Sequence, residues 1–135
     1  MEIPLSENPS RHLSAAAENV RAFNHDSHDM KPGWQYPPNT YDAIGSLSTL
    51  AGTLEQAVRQ SVWPVIHTFE QGRIRLDGGG VAARAVRELV AARNDAQAAA
   101  AALAAAVQRM HNAVSPMGLD TTGLPEFEDD EGHTV

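Results

Sequence analysis

The chain contains no cysteine. That removes disulfide scaffolds, thiolate zinc centres and cysteine nucleophiles together, and leaves the redox compartment undecided. Aromatic residues are scarce, 5% of the chain against 42% hydrophobic residues in all, so a core has to be built from Ala, Val and Leu. Burial stabilises by about 25 cal/mol per Å² of apolar surface, and alanine offers little of it. A chain of 135 residues allows one domain at most, and as a monomer it is expected to be marginal. No run approaches the roughly 18 continuous apolar residues of a membrane span. The opening MEIPLSENPSRHLS lacks the basic start and apolar stretch of a signal peptide. Cytoplasmic residence is expected, with export that reads no N-terminal signal as the alternative. Lysine is nearly missing as well: Lys31 stands beside nine arginines. Together with heavy alanine usage this points to a GC-rich genome of actinobacterial type, and carries no function.

Charge is unevenly placed. Residues 1–39 carry a net −2, residues 40–114 a net +1, and residues 115–135 a net −6 with no base at all. The overall −7 therefore describes a tail rather than a surface, and the middle of the chain is nearly neutral.

What is present is helical pattern. Asn8 is a capping residue and Pro9 suits a first helical position, followed by Leu13, Ala16, Val20 and Phe23 at helical spacing, which predicts a short amphipathic helix over Asn8 to Phe23. Residues 24–39 read as a loop, with Pro32-Gly33 and Pro37-Pro38 excluding regular structure and Trp34 and Tyr36 placed to contact a helical surface. Thr40 then reads as an N-cap, and Ile44, Leu47, Ala51, Leu54, Val58, Val62, Val65 and Phe69 form a helical stripe with a kink expected at Trp63-Pro64. Gly78, Gly79 and Gly80 make a hinge, since three glycines cannot sit in a helix interior. A second long helix over about Val81 to Asn112 has Val86, Leu89, Arg93, Ala96, Ala100, Leu103, Val107, Met110 and Val114 at strict heptad spacing, the mark of a coiled-coil seam. Ser115-Pro116 and Gly118 stop it, and residues 115–135 are expected to be a disordered acidic tail.

The expected fold class is therefore all-α: a long antiparallel two-helix hairpin, coiled-coil-like, over residues 40–114, preceded by residues 1–39 with their short helix and aromatic loop. Two helices enclose no core of their own, so a four-helix bundle made by dimerisation is expected to complete it.

Few residues suggest chemistry. His25, Asp26, His28 and Asp29 are metal-ligand types, but on a loop with no imposed geometry they read as a solvated linker, and no metal or cofactor is expected. Arg73, Arg75, Arg84 and Arg87 flank the glycines and would gather at the hairpin tip, where they are candidate anion contacts. Glu70, Asp77 and Glu88 offset them, so nucleic acid is the weaker reading. The triple glycine lacks the GxxxxGK[ST] or GxGxxG context of a nucleotide loop. Arg93 on the seam either specifies register, with Asp95 or Glu55 as partner, or snorkels to solvent. His67 and His111 sit at different heights of an antiparallel pair and share no site, and no catalytic constellation emerges. Candidate partner-binding residues are Trp34, Tyr36 and Trp63, together with Phe127, which is an apolar anchor among Glu126, Glu128, Asp129, Asp130 and Glu131.

A helical hairpin of this size over residues 40–114 resembles, in architecture, the small secreted partners of type VII secretion. That family carries Trp-x-Gly in its turn and a Tyr-x-x-x-Asp/Glu signal after the second helix. Here the turn holds Gly78-Gly79-Gly80 without Trp, Trp63 is followed by Pro64, and no Tyr follows Tyr41. The resemblance implies a helix–turn–helix fold and four-helix dimers, and carries no motif. The expected function is a non-enzymatic protein–protein interaction or structural module, of the kind mobile elements and phages encode, that pairs with itself or with another helical protein. The alternatives are a secreted type VII-like substrate and a nucleic-acid accessory protein using the arginine tip.

Overall fold

The computed structural model describes residues 7–127, and among these the regular structure is helical, with no strand beyond one isolated bridge. The chain forms two units, one ending at Tyr36 and one starting at Pro37.

The first unit holds helix α1, Ser10–Asp26. Its start follows the expected chemistry: the Asn8 Oδ1 accepts the Ser10 N–H at 3.0 Å, and Pro9 at φ −62° is already in helical conformation. The helix runs three residues beyond Phe23. Lys31 and Trp34 then exchange both backbone hydrogen bonds, at 3.3 and 2.8 Å, around Pro32 and Gly33. Proline at the second position and a glycine with φ +86° at the third are the residue types of a type II turn. That turn sends Trp34 back onto α1. Its indole N–H donates to the Ser27 carbonyl at 2.9 Å, and its ring meets Phe23 edge-on with centroids 5.5 Å apart. The expected loop is thus a reversal, and its Trp34 ring contacts α1.

The second unit begins with α2, Pro37–Ser61. The prolines expected to keep this segment in the loop instead open the helix, because first-turn N–H groups have no intrahelical acceptor and proline loses nothing there. Thr40 is therefore inside the helix rather than its cap. At Val62 (φ −96°, ψ −3°) the helix breaks, and α3 runs over Trp63–Glu70 with Pro64 in its first turn. Proline is accommodated in the first turn of the restarted helix, so the expected kink site at Trp63-Pro64 coincides with a one-residue break at Val62. A connection of eleven residues, Gln71 to Val81, follows. Gly78, Gly79 and Gly80 all have positive φ (85°, 83° and 125°), which supports their role as the point of reversal. A Cβ on Gly80 would also meet the Leu76 side chain at 3.2 Å.

Helix α4, Ala82–Val114, has 33 residues, against 25 in α2 and 8 in α3. It runs antiparallel to α2, as two cross-helix bonds record: the Ser48 hydroxyl to the Gln108 Oε1 at 3.1 Å, and the Gln97 Nε2 to the Glu55 Oε1 at 3.4 Å. The buried core is Ile44, Ala51, Val62, Val86, Ala100, Val107 and Val114. No side chain in it is fully sealed from solvent, as expected when one layer of helix lies on one other.

The seam corrects half of the heptad expectation. Along α4 the residues of the packed face are Val86, Val90, Arg93, Gln97, Ala100, Ala104, Val107, His111 and Val114, each buried or half-buried. Every second expected position is right. Between them the helix is turned by one residue, so that Leu89, Leu103 and Met110 point outward, 37%, 48% and 49% exposed. Small or flat residues in the column nearest α2 allow a close approach: a Cβ added to Gly45 would lie 3.8 Å from the His111 ring. Residues 115–127, expected to be disordered, hold local turns. Met117 N–H donates to the Val114 carbonyl at 2.9 Å, Gly123 has φ +78°, and a 3-10 turn covers Pro125–Phe127. Glu128 to Glu131 lie outside the described residues.

Candidate interaction surface

The expected site residues fall on different elements of the two units. Trp34 is half-buried and its indole N–H is already bonded within the first unit, which also contains the half-buried Tyr36. Trp63 is 53% exposed at the start of α3, and Phe127 is half-buried in the terminal 3-10 turn. Arg73 and Arg75 lie in the connection, Arg84 and Arg87 near the start of α4, and all four are exposed. Arg75 stands 3.7 Å from Asp77, a solvent-exposed pair worth at most about 1 kcal/mol. Arg93 bonds neither Asp95 nor Glu55: its guanidinium donates to Asn94 Oδ1 at 3.0 and 3.3 Å, and Glu55 is held by Gln97 instead. Arg93 itself is half-buried. His28 Nδ1 lies 3.1 Å from Asp29 Oδ1, and among the described residues no three ligand-type side chains converge.

At the open end of the hairpin, the Tyr41 and His111 rings meet tilted by 34°, with centroids 4.9 Å apart. Beside them is a shallow, open depression of about 260 Å³ lined by Pro38, Tyr41, Asp42, Ser115 and Met117. Its lining holds one carboxylate, Asp42, and two hydroxyls, Tyr41 and Ser115, without a basic side chain. Asp120, nearby in sequence, has its carboxyl held below the usual aspartate range by the Thr122 backbone N–H at 3.0 Å, then by the Thr122 hydroxyl. That bond closes a turn and leaves the group in solvent.

The larger feature is the flank of the hairpin. The cross-helix polar bonds, Ser48 to Gln108 and Gln97 to Glu55, lie along one side of the seam. On the other side stand the outward residues of α4: Leu89, Ala96, Leu103 and Met110, each one position ahead of a seam residue. Next to them on the helix surface come Ala85, Ala92, Ala99, Ala106 and Ala113. The two columns together step by four and three along nearly the whole helix and include no polar side chain. All other charges of α4 apart from Arg93, namely Arg84, Arg87, Glu88, Asp95 and Arg109, fall on the remaining surface. Helix α4 therefore has two apolar faces, one packed on α2 and α3 and one largely exposed, with Ala85 and Ala106 half-buried in it. Leu47 and Leu54 of α2, each one position ahead of seam residues Ser48 and Glu55, extend the same flank; Leu47 is 37% exposed.

Comparison with protein-family models, with curated proteins and with solved structures gives no match. The surface is thus read from its own residues. Its sequence signal was available in the alanine that recurs every seventh residue from Ala85 to Ala113. The heptad pattern merged it with the seam because the two stripes are adjacent on the helix.

Proposed function

We propose that the chain is a non-enzymatic helical interaction module that docks a helical partner along the second apolar face of α4. One observation carries the proposal: an uncharged stripe from Ala85 to Ala113, half-buried at Ala85 and Ala106 and exposed at its other positions, beside the seam that packs on α2. Contiguous exposed apolar surface of this extent marks interaction sites in water-soluble folds. Alanine at regular intervals suits a helix packed at the short end of the usual 8–10 Å interaxial range. The dispersed acids and bases, all of them partly or fully in solvent among the described residues, favour docking over catalysis.

A designed probe helix with leucine and alanine at heptad spacing and a charged outer face tests the proposal. Native protein immobilised at low density is expected to bind it. Leu103→Glu is expected to abolish binding while leaving the hairpin folded at sub-micromolar concentration, since substitutions at exposed positions usually stay within about 0.5 kcal/mol. A native hairpin that is stably folded yet ignores the probe contradicts the proposal.

A further inference from the structure

Building on the docking face just proposed, we infer that its occupant is the same face of a second copy of this chain, crossing antiparallel so that α4 packs on α4. The stripe is complementary to its own reverse. Facing positions in an antiparallel heptad pair alternate between its two columns, and one register joins them over almost the full helix. Leu103 then meets Ala92 of the second copy, Leu89 meets its Ala106, Met110 meets its Ala85, and Ala96 meets its Ala99. Each large side chain faces an alanine, which keeps the layers of even thickness. A parallel copy would instead stack Leu103 on Leu103 and Ala99 on Ala99, alternating crowded layers with gaps.

Charge selects the same arrangement. The column bordering the alanines holds Glu88, Asp95, Ala102 and Arg109. Reversal of direction brings this border against itself, so Glu88 lies beside Arg109 of the second copy, and the two-fold axis repeats the pair. Acid at one end of the stripe and base at the other is what an antiparallel self-pairing needs. Leu47 and Leu54 on the shared flank then close over the incoming helix, and the two hairpins form a four-helix arrangement with both α4 helices inside.

Sedimentation equilibrium of the full chain at low salt, combined with a charge-reversal cycle, tests this. The native chain is expected at twice its 14.5 kDa mass. Leu103→Glu is expected to be monomeric at the same concentration, whereas Ala101→Glu, on the opposite flank, stays dimeric. Glu88→Arg and Arg109→Glu should each weaken the dimer roughly tenfold, because two exposed ion pairs become like-charge pairs. The double variant, with the pairs restored in reverse, should return to within about threefold of native. A helical native chain that remains monomeric at about 100 µM, far above the Kd of any stable dimer, overturns the second copy while leaving a foreign helical partner in place. A dimer indifferent to Leu103→Glu overturns the face. A double variant weaker than either single one overturns the antiparallel crossing, and this outcome is readable even where Leu103→Glu fails to fold.

Discussion

Trp34 shows how a residue changes role between sequence and structure. As the larger ring in a proline-rich loop it looks available to a partner, yet the type II turn at Pro32-Gly33 returns it to α1, where it bonds Ser27 and packs on Phe23. The turn chemistry was present in the sequence, but its closing contact depends on the helix running past Phe23, and helix ends are the least legible feature of a pattern. An isolated 17-residue helix is marginal in water, so this clasp should set its stability. Trp34→Phe keeps a ring and loses the hydrogen bond, an expected cost of about 1 kcal/mol. Trp34→Ala also loses the aromatic pair, about a further 1 kcal/mol. Amide hydrogen exchange at Phe23 to Ser27 reads both, and equal protection in the two variants contradicts the clasp. At Asp120, the Thr122 bonds hold the carboxyl below its usual range, so the turn is intact above the unfolded-state value and is lost as pH falls through the lowered one. The Thr122 amide resonance should therefore move upfield with the midpoint of the Asp120 carboxyl titration, and that midpoint should lie below the ordinary aspartate value. A normal midpoint contradicts the bond.

Among the elements, the two long helical segments, their antiparallel sense and the glycine reversal were legible, because spacing over many residues and three adjacent glycines leave little choice. The face was half legible. Val86, Ala100, Val107 and Val114 belong to either candidate stripe, and the choice between Leu103 and Ala104 as their neighbour is made by α2, which brings Gly45 and Ala51 close and needs the smaller residue. Hydrophobicity favours the leucine; interhelical distance favours the alanine. Ala51, 4% exposed and packed with Val107 and Ala104, is where that distance is most constrained. Ala51→Leu should destabilise the hairpin by about 1–3 kcal/mol through overpacking. Urea unfolding measures it, and a neutral or stabilising effect would mean that the helices stand further apart than described.

For the molecule as a whole, the composition explains the architecture. With few aromatics and many alanines, α2 and α4 approach closely but bury little, and no side chain among the described residues is sealed. The leucines and the methionine that could have thickened the seam lie instead on the flank, at Leu89, Leu103 and Met110. In this account they are the core of a larger assembly, held on the outside of the single chain. The direct measurement is solvent paramagnetic relaxation of assigned methyl groups across a dilution series. Val86, Val107 and Val114 should be protected at every concentration, whereas Leu89, Leu103 and Met110 should be relaxed in dilute samples and protected in concentrated ones. Equal exposure of Leu103 and Val107 throughout the series would contradict the two-faced helix on which the account rests.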